Sequence, residues 1–140
     1  TQIVRVDSPS NMEVIGTTLD DAAGEAFDKS AKILGLPYPG GPLIDKYAKN
    51  GNILAFEFGK PNIKNLDFSF SGLKTSIMYK IQNYTQKNPN FIKENLEDLC
   101  ASIQYSIVTI LLKKLEKAIK QTGKEKKERR FVPPYLKSFV

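Results

Sequence analysis

From about Lys93 to Gln121 the chain carries one sustained helical signal. Leu96, Leu99, Cys100, Ile103, Ile107, Ile110, Leu111, Leu115 and Ala118 recur at three- and four-residue steps, with Leu112 and Ile119 bordering them. The stripe is wider than the two-per-heptad seam of a coiled coil, so this helix is expected to be packed into a core. With 140 residues in all, the chain has room for one such core and not for a two-domain enzyme. No apolar run approaches the roughly 18 residues of a membrane span.

Upstream of that helix the periodicity changes. Ile3 and Val4-Arg5-Val6 fall at near period two, Ser8-Pro9-Ser10-Asn11 supplies turn chemistry, and Met12 to Thr17 resumes a strand pattern, so residues 1 to 17 read as a β-hairpin. The chain starts inside this pattern without an initiator Met, as the cut end of a longer chain would. Ala23, Phe27, Ala31 and Leu34 mark an amphipathic helix over Asp20 to Leu34. Thr17 or Thr18 is placed to cap it, Asp20 and Asp21 fall in its first turn, and Gly35 ends it. Pro37-Tyr38-Pro39-Gly40-Gly41-Pro42 connects to a short helix from Pro42 through Lys49, with Gly41 near its N-cap. Ile53 to Phe58 predicts a strand, residues 59 to 66 a loop, and Ser71 to about Tyr84 a further helix. The pattern is α/β, a hairpin followed by mainly helical segments.

Charge and composition exclude several functions. The 21 Lys plus Arg outnumber 15 Asp plus Glu, but residues 124 to 140 alone hold six basic and two acidic groups. The other 123 residues therefore carry only +2, and the basicity is mostly a terminal run of the kind that is usually solvated. With no His, the chain cannot assemble a Ser-His-Asp or Cys-His catalytic set or a His-ligated metal. A single Cys forms no internal disulfide, which favours a reducing, cytoplasmic setting. Cys100 lies on the apolar stripe and reads as a small core residue.

Three positions stand out as candidates for binding. Asp28 lies beside the Phe27 stripe; it is either a solvated helix carboxylate or an acceptor for sugar hydroxyls. Gly40-Gly41-Pro42 is either a simple turn or a helix start whose free amides suit an oxygen-rich ligand that approaches the main chain. Asp45 lies one turn beyond Gly41 and nearly on the same side. Together Asp28, Gly41 and Asp45 could grip a ribose. Gly72-Leu73-Lys74-Thr75 resembles a phosphate loop only briefly, because no Gly stands five residues before Gly72. Asp20 and Asp21 are neighbours that diverge on a helix and make a poor acid/base pair.

Three longer blocks make the reading specific: Thr18 to Lys29 (TLDDAAGEAFDK) with Leu34-Gly35-Leu36, then Tyr38 to Pro42 (YPGGP), then Asp67 to Thr75 (DFSFSGLKT). In this order they resemble the TsaD family of tRNA adenosine threonylcarbamoyltransferases, formerly called O-sialoglycoprotein endopeptidases or glycoproteases. The resemblance covers about residues 1 to 122, the middle of a family member, and leaves 123 to 140 as an atypical basic tail expected to be poorly ordered. It implies an incomplete actin-like ATPase (ASKHA) fold and a fragment of an enzyme that moves threonylcarbamoyl from threonylcarbamoyl-AMP to N6 of adenosine 37 in tRNA. The positions matching Asp28, Gly41 and Asp45 line the adenylate site in that family.

The resemblance further implies Fe(2+) or a similar divalent metal in the full-length protein, held by a His-x-x-x-His motif and an Asp that this chain lacks. It also implies TsaB-like and TsaE-like companions in a cytoplasmic pathway with no membrane. The piece on its own is expected to be inactive and to hold no metal. Two other readings stand beside this one: a non-catalytic interaction module derived from the family, and a metallopeptidase, which a His-free segment does not equip.

Overall fold

The architecture comes from a computed structural model that describes residues 1–123. The expectation for the basic tail lies outside the described residues. Two strands, β1 (Gln2–Ser8) and β2 (Asn11–Thr17), precede five helices: α1 (Ala23–Ile33), α2 (Gly40–Ala48), α3 (Ser71–Lys87), α4 (Phe91–Glu94) and α5 (Leu96–Thr122). The α/β pattern of one hairpin and mainly helical segments is as the sequence predicts.

α5 organises the core. Leu99, Cys100, Ile103 and Ile107 are fully enclosed, together with Ile44 of α2, Leu73 and Ile77 of α3, and Phe68 and Phe70 just ahead of α3. α2 packs on both α5 and α1, and α1 also meets α3. Burial of this kind contributes roughly 1.5–3 kcal/mol per large apolar side chain before the entropy of ordering is set against it. The C-terminal half of the predicted stripe is less covered, and Leu115 is 45% exposed. A 27-residue helix outruns the 9- and 11-residue helices laid on it. The single predicted helix from Lys93 is in fact two, broken at Asn95, and Gly123 at φ 63° ends α5.

The hairpin is antiparallel, with Gln2 opposite Thr17 and Val4 opposite Val14. It is tied to the body at its base, where Leu19 N–H donates to the Phe68 carbonyl (2.9 Å) and Phe68 N–H to the Thr17 carbonyl (3.1 Å). Asp67 reinforces the joint by accepting from Thr17 N–H at 2.9 Å.

Three expectations are corrected. The strand over Ile53 to Phe58 is absent: its apolar residues serve as separate anchors rather than one face of a ladder. Phe58 is buried, Phe56 packs edge-on against Tyr84 and Phe91, and Leu54 is 71% exposed. Serine hydroxyls satisfy the backbone there in place of a partner strand, Ser102 accepting from Phe56 N–H (3.1 Å) and Ser76 from Gly59 N–H (2.8 Å). Second, α1 starts at Ala23, not Asp20, and neither Thr17 nor Thr18 caps it, since the Thr18 hydroxyl donates to the Asp21 carbonyl. Third, α2 starts at Gly40 rather than Pro42, which puts Gly41 inside the helix.

Asp20 instead crosses to the start of α3. Its carboxylate accepts from the backbone N–H of Phe70 (2.8 Å) and Ser71 (3.3 Å) and from the hydroxyls of Ser69 and Ser71. Phe70 at the N-cap offers no side-chain acceptor of its own, so a remote acid caps this helix. Desolvation alone would raise the Asp20 pKa, but the hydrogen bonds from Ser69, Phe70 and Ser71 outweigh it and hold the group down at about 2. A carboxyl depressed in the folded state adds stability above its unfolded pKa of 3.8 that is lost as pH falls towards about 2. Asp20→Ala is therefore expected to cost about 0.5–2 kcal/mol near neutral pH, the range for a lost cap. The difference from the native chain should shrink between pH 4 and pH 2, as melting curves across that range would show. A constant difference would mean that the carboxylate is not the cause.

Candidate functional site

The α1–α2 corner places the candidate residues. α1 packs so closely on the start of α2 that a Cβ at Gly40 would overlap the Ala31 Cβ. This approach brings Asp28, five residues into α1, beneath the first turn of α2. One carboxylate oxygen, Oδ1, accepts from Gly40 N–H at 2.9 Å and from Gly41 N–H at 3.3 Å. Pro39 at the N-cap has no side-chain acceptor, so α2, like α3, is capped by an Asp from elsewhere in the chain.

This revises the chemistry expected of the Gly-Gly turn. Its amides are not free for a ligand; Asp28 occupies them. A carboxylate at a helix start also offsets the partial positive charge that would draw a phosphate. The remaining oxygen, Oδ2, has no hydrogen-bond partner among the described residues and can accept from a neutral donor such as a sugar hydroxyl. An acceptor of this kind suits a hydroxyl donor, and the carboxylate charge disfavours a phosphate.

Gly41 is a glycine that the fold does not require. Its φ is not positive, and a Cβ there would meet only the Phe27 Cβ at 3.7 Å, ordinary contact distance. Asp45 lies a turn farther along α2. Gln104 of α5 donates its side-chain amide to Asp45 Oδ1 (3.0 Å), and Lys49 lies 3.8 Å from Oδ2. The structure therefore joins Asp28 and Gly41 in one hydrogen-bonded unit and turns Asp45 towards α5. Gln104 went unnoticed in the sequence because it interrupts no pattern on the polar side of the long helix.

Beside Asp28 opens a hollow of about 460 Å³, lined also by Lys29, Lys32, Leu36, Pro37 and Tyr38. Lys29 is already paired, with Asp21 and with Glu25. The hydrogen bond to Asp21 is the main reason its pKa lies above the usual lysine value. Cys100, by contrast, is sealed in the core, where burial pushes its thiol up to about 12, so it is no nucleophile.

Among the described residues no group of three His, Cys, Asp or Glu side chains could hold a metal ion, and the whole chain has no His. No helix among the described residues is long and apolar enough to cross a membrane.

The family model for TsaD, tRNA N6-adenosine threonylcarbamoyltransferase, matches residues 1–128. The chain belongs to the TsaD family. Proteins of that name from three bacteria illustrate the similarity. The Christiangramia forsetii protein is 63% identical over 123 residues, covering 88% of this chain and 36% of that protein. The Porphyromonas gingivalis protein is 55% identical over 119 residues (85% and 35%), and the Riemerella anatipestifer protein 55% over 123 residues (88% and 36%). The chain thus spans about a third of the length of these TsaD relatives. Asp28, Gly41 and Asp45 all fall within the matched TsaD segment.

Proposed function

We propose that this chain supplies one wall of the adenylate site of a tRNA threonylcarbamoyltransferase. The observation that carries the reading is the Asp28–Gly40–Gly41 unit, a fixed carboxylate with one oxygen left over, beside a glycine that packing does not demand. Asp28 Oδ2 accepts from a ribose hydroxyl of threonylcarbamoyl-AMP, while the absent side chain at Gly41 lets the sugar approach α2. Asp45 follows one turn on along α2, its carboxylate held towards α5 by Gln104.

In the reaction, N6 of adenosine 37 of the tRNA bonds to the carbamoyl carbon and gives up one proton to solvent, and the bond from that carbon to the phosphate oxygen breaks, its electron pair leaving with AMP. The residues described here hold and orient the leaving AMP; they move no proton in the transfer. The rest of the cleft, an ASKHA-type arrangement of two lobes, comes from the remaining two-thirds of a family member, as do any iron or similar metal and its His ligands. The tRNA, TsaB-like and TsaE-like companions and a cytoplasmic setting belong to that whole. The isolated chain accordingly carries out no transfer.

The wall itself can be tested without turnover. Adding AMP to the 15N-labelled chain should shift the backbone amides of Gly40 and Gly41 saturably, and ribose 5-phosphate should shift the same two. Amides that stay unmoved by both ligands at millimolar concentration would defeat the ribose-wall reading.

A further inference from the structure

Positive charge is gathered at one place in the described residues. The loop of residues 59 to 66 and the last turns of α5 hold Lys60, Lys64, Lys113, Lys114, Lys117 and Lys120 against one acid, Glu116. These stretches carry +5, whereas residues 1 to 123 together carry +2, so everything else described is net −3.

Hydrogen bonds bring the two stretches together. Lys114 donates to the carbonyls of Ile63 and Asn65, the latter at 2.8 Å, and Lys117 donates to the same Asn65 oxygen at 3.3 Å. Asn65 turns the loop with φ 55°, a left-handed conformation that Asn adopts more readily than most residues. Two ammonium groups therefore share one neutral acceptor, and neither has an ion pair among the described residues. Burial, and then the Lys117 charge, lower the Lys114 pKa; Asp67 acts the other way without cancelling them. Glu116 is taken by Lys120 at 2.9 Å, which leaves the exposed Lys64 and Lys113 unmatched as well. Such a cluster repels itself until an anion arrives.

The helix separates this charge from its apolar surface. Lys113 and Lys117 share one side of α5, and Leu115, 45% exposed, stands between them on the opposite side. The chain spans about a third of the length of its TsaD relatives, so further protein has surface to cover here. Leu112, Leu115 and Ile119 offer it an apolar side, whereas the lysine side would cost desolvation of unpaired charge. Lys60 carries the charged side along α5 to Tyr105, its ammonium lying 5.4 Å from the ring centroid.

We propose that the loop of residues 59 to 66 and the lysine side of α5 form a docking face for the phosphate backbone of the tRNA. The inference rests on the reading of the chain as part of a tRNA-modifying enzyme and adds where on it the tRNA lies. Lysines that neutralise phosphates release bound counterions, so the contact carries a salt dependence that counts them.

The test uses the full 140-residue chain and an unmodified tRNA transcript with adenosine at position 37, titrated by fluorescence anisotropy across a salt series. Lys64→Gln/Lys113→Gln should weaken binding and flatten the slope of log K against log salt by about two, one for each phosphate contact removed. Neither side chain holds the loop, so the melting curve should not move. Lys87→Gln/Lys93→Gln removes the same charge from the far end of α3 and from α4, and should keep the native slope. The basic residues after Gly123 are common to all these chains and drop out of the comparison.

Equal flattening by both pairs would mean that binding follows net charge alone and would overturn the face, as would a slope that neither pair alters. Charge-matched poly-L-glutamate that displaces the transcript as well as unlabelled tRNA does would assign the face to an acidic protein segment instead. The adenylate wall stands or falls separately, because AMP shifts of the Gly40 and Gly41 amides report on it whichever way the salt slopes turn out.

Discussion

Asp28→Ala is expected to lower stability and adenylate binding together, by separable amounts. The carboxylate closes the α2 N-terminus through Gly40 and Gly41, so its loss leaves two amides in a half-buried corner to find water instead. A removed helix cap costs about 0.5–2 kcal/mol. The ligand loses more: a hydrogen bond between a hydroxyl and a charged acceptor contributes about 1.5–3 kcal/mol, or a weakening of about tenfold to a hundredfold or more.

Asp28→Asn separates the two effects. The side-chain carbonyl of Asn can still accept from both amides and keep α2 capped. Its NH₂ group, however, replaces Oδ2, turning an acceptor into a donor where the ribose hydroxyl arrives. Near-native melting with binding reduced at least about tenfold is the expected pair of results. An Asn variant that bound AMP like the native chain would restrict Asp28 to its capping role.

The adjacent glycines should respond in opposite ways. Gly40→Ala places a Cβ against the Ala31 Cβ and drives α1 and α2 apart. Overpacking of this kind costs about 1–3 kcal/mol, more than the helix propensity gained from Ala. Gly41→Ala meets nothing nearer than 3.7 Å in a helical position, so stability should hold or rise by up to about 1 kcal/mol. Binding should reverse the order of concern: the stable Gly41→Ala chain should bind AMP more weakly, because its new methyl group occupies the sugar's approach. A Gly41→Ala chain that is both stable and fully competent would mean that the glycine serves neither fold nor ligand.

This contrast also shows where sequence reasoning stops. Periodicity located α5 and α1 because each buries one face of a regular element, and a residue's side of such an element follows from spacing alone. Ile53 to Phe58 misled because an apolar run says that side chains are buried, not that the backbone is paired, and serines on α3 and α5 satisfied it instead.

The two capping acids were illegible for a related reason. Asp28 acts 12 residues away and Asp20 acts 50 residues away, distances that no local pattern encodes. The sequence did hold a clue in each case, a helix start preceded by a residue without an acceptor, Pro39 and Phe70, which obliges some distant group to supply one. Gly41 was marked as a candidate for binding because a glycine there could take unusual backbone angles, yet its φ is ordinary, and it is Gly40 that the packing requires. Asp45 was placed on the right turn of α2, though its bond to Gln104 depends on a helix 59 residues later.

The central claim, that Asp28 and Gly41 form a working wall of an adenylate site, is tested most directly in a whole enzyme. This chain's matched segment can replace the corresponding stretch of the Christiangramia forsetii TsaD protein, to which it is 63% identical over 123 residues. Threonylcarbamoyl transfer to tRNA is then measured by mass spectrometry of the modified nucleoside. The graft should be active, and the same graft carrying Asp28→Asn should fold normally with kcat/KM for the adenylate lowered at least about tenfold. A folded Asp28→Asn graft that transfers at the unsubstituted rate would contradict the account.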